Sequence, residues 1–482
     1  MVNLLWRNNM SGTLLKAKNT LIGDRAFYKR VIAILIPIVI QNTFTNAVSF
    51  VDNIMVGRIG EIEMSAVATV NQLLFVFNLC IFGGLSGIGI FTAQFAGAKD
   101  SAGVRRTIRA KNYLAIAMLV IGVSVFLAFP TPLIKLYIAE DTKPEVAELM
   151  MGHALDYIYI MLIGLAPFAI SQVYGSTLRE EGETKLPMIG GVVAILVNLV
   201  LNYILIFGNE GKLPFITFAP MGVAGAAIAT VISRYVEMLL LVIITHTRKN
   251  KYPSFVGVYR TAKIPLPLCR DMLVKGSPLL LNEFLWSFGM AILLQCYSER
   301  GIECVAAANI SSTVLNLFNV VCFSMGSAIA IILGQHLGAD EVEEAKSSVW
   351  KLFALSIASC LFMSTALALC SKLIPSFYDA SEYTRDLAGS MLFIVACTMP
   401  IFAFAHAVYF TLRSGGKTLL TFIFDCGFTW GVTIPFAYIT AHHSSMGIIP
   451  LYLCVQLLDL TKCIVGYFLI KKGIWINRII SD

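Results

Sequence analysis

Apolar residues in this chain gather into long runs, and most charged residues fall between them. A helical span needs about 20 mainly apolar residues to cross a hydrocarbon core of about 30 Å. Twelve runs meet that length, starting near residues 31, 64, 112, 148, 187, 222, 272, 304, 350, 386, 418 and 447. The pattern predicts an all-α membrane protein with six spans in each half. The runs 64–97 and 304–334 exceed one span, so we expect tilt or bends around Gly83, Gly84, Gly87 and Gly89.

The two halves repeat each other at an offset of 241 residues. The recurring residues are mostly prolines, glycines and amides: Pro37 and Pro278, Gly60 and Gly301, Asn78 and Asn319, and Gln94-x-x-Gly97-Ala98 with Gln335-x-x-Gly338-Ala339. Apolar residues would coincide by chance, but these would not hold register across two helices. An even number of spans per half makes the repeats parallel, an arrangement typical of secondary transporters.

Composition and charge agree with a membrane location. The chain is 57% hydrophobic and only 13% charged, which is unusual for a soluble domain. With the N-terminus inside, inner segments hold 27 of the 36 Lys and Arg residues and outer loops hold 7. This bias predicts that both termini are cytoplasmic. The net charge of +7 then reflects topology, and we expect no nucleic-acid partner.

The predicted organisation has five parts: a cytoplasmic arm (1–30), a six-span lobe (31–246), a cytoplasmic linker (247–271), a second six-span lobe (272–470) and a cytoplasmic tail (471–482). The arm lacks the cleavage site of a signal peptide. The linker is basic and contains Pro253, Pro265 and Pro267, which bar a span there. We expect this linker to act as a hinge between the lobes.

Several kinds of chemistry are excluded. The eleven cysteines show no CxxC spacing, and we interpret them as free thiols in packing positions rather than disulfides or metal ligands. Ser414-Gly415-Gly416-Lys417-Thr418 ends like a P-loop, but Thr411 stands where glycine is required and no strand precedes it. No convergent catalytic motif is present, so we expect neither an enzyme nor a cofactor.

Ionisable and amide side chains inside the spans are the candidate functional residues, because each is costly in a bilayer without a partner or a task. Asp52 is either a proton or cation site or an interfacial carboxylate. Asn198 and Asn202 are spaced i and i+4, so both amides project from one face, as ligands or as interhelical contacts. Thr230 adds a hydroxyl on a small-residue helix.

Prolines within two spans predict bending elements, since proline removes a backbone donor. Adjacent polar residues follow each proline by about one turn: Gln41 and Asn42 after Pro37, and Asn282 and Glu283 after Pro278. Arg234 with Glu237, and Asp459 with Lys462, have the i, i+3 spacing of helical ion pairs. Asp156, His406 and Asp425 lie in spans without an assigned role.

The order of motifs resembles the multidrug and toxic compound extrusion (MATE) family over nearly the whole chain. The resemblance is carried by Phe50-Val51-Asp52-Asn53-Ile54-Met55-Val56-Gly57, Gln94-Phe95-Ala96-Gly97-Ala98, Leu178-Arg179-x-x-Gly182, Gly222-Val223-Ala224-Gly225, and Gly276-Ser277-Pro278 with Glu283. It implies two six-helix lobes forming a V around a central cavity. It also implies export of amphipathic, often cationic, drugs in exchange for inward Na⁺ or H⁺.

By position, the resemblance implies that Asp52 titrates or binds the cation and that Pro37 marks the bend of the first helix. Asn198, Asn202 and Thr230 match the polar partners, Gln172 substitutes for an asparagine of some members, and Glu283 matches the glutamate of the second lobe. Some members have aspartate at the position of Asn202, so this site has one carboxylate fewer. The expected setting is a monomer in the plasma membrane that handles small-molecule drugs or toxic organic cations.

A lipid or polyisoprenoid flippase of the same architecture is the alternative. It would need several basic side chains in its cavity, whereas we count only Arg234 and Lys462 within the spans.

Overall fold

The computed structural model of this protein describes residues 21–138, 143–208, 219–378 and 380–480. Most of the predicted arm and the last two residues of the predicted tail lie outside these ranges. Within them the regular elements are helical, and twelve helices are long and apolar enough to cross a membrane. The prediction of an all-α protein with twelve spans is confirmed.

In chain order the helices are α1 (Arg25–Gly57), α2 (Glu61–Gly97), α3 (Ser101–Ala128), α4 (Pro130–Lys135), α5 (Pro144–Ile163), α6 (Leu165–Glu180), α7 (Lys185–Phe207), α8 (Gly222–Thr247), α9 (Leu266–Ser298), α10 (Ile302–Phe318), α11 (Val320–Gly338), α12 (Val342–Cys370), α13 (Glu382–Ser414), α14 (Thr418–His443) and α15 (Ile448–Lys471). Short 3₁₀ turns occur at Pro253–Phe255 and Ile374–Phe377. Helix α14 contains π-helical turns at Ile423–Gly427 and Thr429–Thr433.

The glycine stretch of α2 serves close helix packing. The first long apolar run forms one continuous helix from Glu61 to Gly97. The second long run is interrupted at Asn319, between α10 and α11. A β-carbon at Gly83 would lie 3.1 Å from the Cα atom of Leu280, and one at Gly87 would collide with the backbone of Gly276. These glycines therefore allow α9 to pack directly on α2.

Contacts divide the chain into two compact units. The first unit comprises Met1–Val39, Ala93–Lys99 and Leu285–Asp482, and the second comprises Ile40–Thr92 and Asp100–Phe284. Helices α1 and α9, which contain Pro37 and Pro278, each contribute to both units. The lobe boundaries given by the sequence stay a prediction.

The 241-residue repeat is visible in the backbone at the ends of α2 and α11. Lys99 and Asp340 adopt positive φ angles of 57° and 63°, the left-handed conformation that often ends a helix. Nearby, a β-carbon at Gly97 would collide with the carbonyl of Gln335, and one at Gly338 with the carbonyl of Gln94. Gln94 and Gln335 occupy the same position in the two repeats, so the contact of Gly97 with Gln335 matches the contact of Gly338 with Gln94. The two helix ends are therefore related by a local twofold axis.

One disulfide corrects the expectation that the cysteines are all free thiols. Cys322 on α11 and Cys360 on α12 are bonded, with Cα atoms 6.3 Å apart, and both are buried. The bond joins residues 38 positions apart on adjacent helices, so no local spacing pattern in the sequence could have shown it.

The linker is part of the second unit and packs against α3. Three side chains of α3 donate to its backbone carbonyls: Arg105 to Pro253 at 3.2 Å, Arg109 to Val258 at 2.7 Å and Tyr113 to Ala262 at 2.8 Å. Phe255 is fully buried. Two arginines that the sequence places in a loop therefore bind this segment, and its role as a hinge between the lobes stays a prediction.

A carboxylate also holds the linker. Ser254 Oγ donates to Glu181, which lies between α6 and α7, and Lys251 pairs with Glu183. Burial raises the pKa of Glu181, although the Ser254 hydrogen bond opposes that rise. The linker thus covers the turn that joins α6 to α7.

The tail after α15 is packed on the first unit. Trp475 is buried, Asn477 Nδ2 donates to the Gly415 carbonyl at 3.2 Å, and the Ile479 amide donates to Gln94 Oε1 at 2.8 Å. A β-carbon at Gly415 would collide with the Trp475 carbonyl. The stretch that resembled a P-loop is therefore a turn covered by the tail.

Candidate functional site

Four of the predicted site residues come together in the second unit. Asp52 lies on α1, Asn198 and Asn202 lie one turn apart on α7, and Thr230 lies on α8. Helix α8 approaches α7 closely because Gly225 has no side chain: a β-carbon there would lie only 2.6 Å from the Leu205 carbonyl oxygen. This close approach brings the Thr230 hydroxyl next to the amides of α7.

Hydrogen bonds connect these residues in a chain. Asn202 Nδ2 donates to Asp52 Oδ1 at 2.7 Å and to Asn198 Oδ1 at 3.2 Å. Asn198 Nδ2 donates to Thr230 Oγ1 at 3.3 Å, and the Thr230 hydroxyl donates to the Ala226 carbonyl at 3.0 Å. Both asparagines are buried, so α7 holds them in place while α1 brings the carboxylate.

The Asn198 amide can meet Asp52 in two ways. With its nitrogen on Thr230, its oxygen faces the carboxylate, which suits a protonated Asp52 or a cation between the oxygens. With the amide rotated, its nitrogen lies 3.1 Å from Asp52 Oδ2 and 3.2 Å from Oδ1, but it also lies 3.2 Å from Asn202 Nδ2, which is a donor as well. Rotation of the Asn198 amide would therefore exchange its hydrogen bonds with Thr230 and Asn202 for contacts with the carboxylate.

The oxygen atoms of the site fit a monovalent cation or a proton. Asn202 Oδ1 is buried and accepts no hydrogen bond from the described residues. The oxygens of Asp52, Asn198 and Thr230 offer hard ligands with one negative charge, whereas the Asn202 amide turns its nitrogen toward Asp52 and Asn198. In the described ranges, no group of three or more His, Cys, Asp or Glu side chains could hold a metal ion.

Other residues predicted for this lobe lie near the site without joining it. Gln172 is half-buried on α6, and no hydrogen bond links it to Asp52 among the described residues. Gln41 lies against α7 at Gly191, where a β-carbon would be 2.9 Å from Gln41 Nε2. Asn42 follows it, half-buried, and Pro37 is buried within α1.

The polar residues after Pro278 lie in the second unit, on the part of α9 that packs on α2. Asn282 is buried. Glu283 lies against Gly83, where a β-carbon would be 2.9 Å from Glu283 Cγ. The structure does not bring Glu283 to Asp52 by a hydrogen bond among the described residues, and its coupling role stays a prediction.

Sequence reasoning missed the buried ion pair of Lys111 with Glu180. Lys111 was counted in an inner loop because the apolar run begins at residue 112, but α3 begins at Ser101 and Lys111 is fully buried within it. Its ammonium donates to Glu180, to Ser176 Oγ at 3.0 Å and to Thr177 Oγ1 at 3.3 Å. The count of only two basic residues within spans is therefore wrong.

The two ion pairs predicted from the i, i+3 spacing differ in the structure. Lys462 lies 3.4 Å from Asp459, as predicted, and 3.3 Å from Asp425 on α14, which gives Asp425 a partner. Arg234 instead donates to the Gly164 carbonyl at 3.3 Å and lies over the Phe168 ring. His406 is enclosed by aromatic rings, those of Phe323, Phe402 and Phe410.

Comparisons with known proteins show which family and fold the chain resembles. A family model described as MatE matches residues 37–204 and 278–439, one segment in each repeat. The probable multidrug resistance protein YoeA of Bacillus subtilis is 26% identical over 420 residues, covering 86% of this chain and 87% of the relative. The probable multidrug resistance protein NorM of Thermotoga maritima is 23% identical over 423 residues, covering 87% of each.

Solved structures share the fold. An outward-facing conformation of a multidrug resistance MATE family transporter of the MOP superfamily is similar with a TM-score of 0.81 and 21% identity, covering 94% of this chain and 96% of that one. A MATE structure in the bent conformation has a TM-score of 0.80 at 21% identity, with the same coverage. Because the family model spans more than half of the sequence, and both repeats, this chain belongs to the MatE family of non-enzymatic membrane transporters.

Proposed function

We propose that the protein is a secondary active multidrug exporter that exchanges cytoplasmic amphipathic, often cationic, compounds for inward Na⁺ or H⁺. The observation that carries the proposal is the site around Asp52, a single carboxylate inside a candidate span with two amides and a hydroxyl in hydrogen-bonding reach. The names of the relatives support export of more than one drug. In this proposal the protein acts as a monomer in the plasma membrane, with both termini in the cytoplasm.

Ion occupation of the site supplies the driving force. A proton or Na⁺ at Asp52 neutralises the carboxylate, and the Asn198 amide then turns its oxygen toward the site. Pro37 lies 15 residues before Asp52, roughly 22 Å along a helix, and it weakens α1 at that point. Relaxation of α1 at Pro37 then lowers drug affinity in the outward-facing state, so that ion entry drives release.

The basic residues found within the helices do not favour a flippase. Such a protein needs cationic side chains available to a pyrophosphate. Lys111 is neutralised by Glu180, and Lys462 lies between Asp425 and Asp459. Arg234 donates to the Gly164 carbonyl and lies over the Phe168 ring. A cationic drug suits these surroundings better than an anionic headgroup.

Transport by reconstituted vesicles tests the proposal. Efflux of a fluorescent organic cation is measured under an imposed Na⁺ gradient and, separately, under an imposed pH gradient. Wild type should respond to at least one gradient, and Asp52→Asn should fall to the level of empty vesicles, because the site loses its only carboxylate. The matched control is Asp156→Asn, which removes an exposed carboxylate from α5 and should retain transport.

Undiminished efflux by an Asp52→Asn variant that reaches the membrane in normal amount would contradict the proposal. Movement of a labelled lipid, with no response to either gradient, would support the flippase instead.

A further inference from the structure

Helix α1 is anchored firmly on one side of Pro37. Before the proline, Val31, Ile34 and Leu35 belong to a buried core together with Met325 and Ala328 of α11. Arg30 at the start of this part donates to Gln335 Oε1 at 3.1 Å. This part of α1 therefore belongs to the first unit and is fixed by apolar burial.

After Pro37, fewer side chains of the same helix are buried within the protein. Of the side chains described between residues 40 and 57, only Met55 and Val56 are buried. A helix with few buried side chains can shift at low cost, because little apolar contact is lost when it moves. The part of α1 that carries Asp52 therefore depends strongly on its polar contacts for its position.

Two polar side chains of this part reach α7 at matching positions. Asp52 accepts a hydrogen bond from Asn202, and Gln41 lies across Gly191. The two contacts are eleven residues apart on both helices, which is three turns or roughly 16 Å. The helices therefore run parallel and in register from Gln41 to Asp52.

Glycine at position 191 makes the first contact close. A β-carbon there would lie 2.9 Å from Gln41 Nε2, 3.3 Å from Cγ and 3.4 Å from Cδ, so any larger residue must displace the Gln41 side chain or α1 itself.

We propose that Gln41 and Gly191 form a positioning contact that sets the register of α1 on α7 and passes a change at Asp52 to the segment just after Pro37. The inference rests on the proposed role of Asp52 in ion coupling. Gln41 lies one turn beyond Pro37, and it affects transport by way of Asp52 and the part of α1 between the two residues. Disturbing the contact should therefore impair ion-driven release more than drug binding.

The test is a rescue experiment in the vesicle assay. Gly191→Val should slow ion-driven efflux roughly tenfold by overpacking, while equilibrium binding of the fluorescent cation in detergent stays within roughly twofold of wild type. Gln41→Ala removes the obstructed side chain, so the double variant should recover most of the lost rate. If Gly191→Val fails to reach the membrane, Gly191→Ala gives the same comparison with a loss of roughly threefold.

Gly190 provides the matched control. Its β-carbon would meet Leu241 Cδ2 of α8 at 3.3 Å and not Gln41, so any loss in Gly190→Val should not be restored by Gln41→Ala. Equal efflux by wild type and the Gly191 variants overturns the inference, as does a double variant no better than the single one. Failure of the proposed function is separate, since it requires Asp52→Asn to transport normally.

Discussion

Several charged side chains inside the helices find partners on neighbouring helices. Lys111 on α3 meets Glu180, Ser176 and Thr177 of α6, and Lys462 on α15 meets Asp425 of α14. In a bilayer such pairing is required, because an isolated charge at depth costs several kcal/mol. Each pair therefore fixes which helix faces which, and removing one member exposes the other to that cost.

At the residue scale, we predict that Lys111→Met strongly destabilises the protein. It removes the ammonium from beside the Glu180 carboxylate, a change that costs roughly 3–5 kcal/mol when a pair is buried. The expected result is a lower midpoint of thermal unfolding in detergent. Lys111→Met combined with Glu180→Leu should recover part of the loss.

The exposed pair of Lys346 and Glu343 provides the control, and Lys346→Met should leave the midpoint nearly unchanged. A double variant as unstable as Lys111→Met alone would contradict the pairing argument.

At the scale of elements, one helix in each unit ends in the same way. After α6 and after α13 the chain turns at a glycine in the left-handed region, Gly182 with φ 89° and Gly416 with φ 69°. A segment from farther along the chain then covers each turn: the linker through Ser254 on Glu181, and the tail through Trp475 on Gly415. The linker and the tail follow the last helix of their repeats, so they occupy equivalent positions.

We predict that Trp475→Ala destabilises the first unit. Trp475 is only 1% exposed, and truncating a buried Trp typically costs about 3–5 kcal/mol. The thermal midpoint in detergent should fall clearly. Its neighbour Ile474 is 38% exposed, so Ile474→Ala should have a much smaller effect, and equal effects of the two changes would show that the tail is not packed as described.

At the scale of the whole molecule, the chain passes between the two compact units at four places: within α1, near the end of α2, between α2 and α3, and within α9. The linker itself lies wholly within the second unit, where Arg109 binds the Lys263 carbonyl at 3.2 Å shortly before α9 begins at Leu266. Two of these four places lie within helices that contain a proline, Pro37 in α1 and Pro278 in α9, which removes a backbone donor from each helix.

We predict that fixing the linker to α3 leaves transport intact. Cysteines replace Tyr113 and Ala262, whose side-chain hydroxyl and carbonyl are 2.8 Å apart, in a background without reactive native cysteines. A short bifunctional thiol reagent then joins them, and efflux should stay near that of the unjoined protein. Loss of efflux on joining, reversed by cleaving the reagent, would show that the linker must leave α3 during transport.

Much of the candidate site could be predicted from the sequence. Asp52, Asn198 and Asn202 were identified because a polar residue in an apolar span needs a partner or a task, and the structure connects all three with Thr230. Gly191 gave no such signal, because a glycine in a helix shows neither charge nor polarity. Its importance depends on Gln41, which lies 150 positions earlier in the chain.

The sequence by itself determined the helical class, the twelve spans and the duplication. Each span depends on the residues within it, and the duplication is visible when the two halves of the sequence are compared, so neither needs the partners of any helix to be known. Only the tertiary structure decided the partners of Lys111, the bond between Cys322 and Cys360, and the packing of the linker and tail. Those features depend on which helix faces meet. Many apolar faces are interchangeable in lipid, so close packing of the whole chain selects among them.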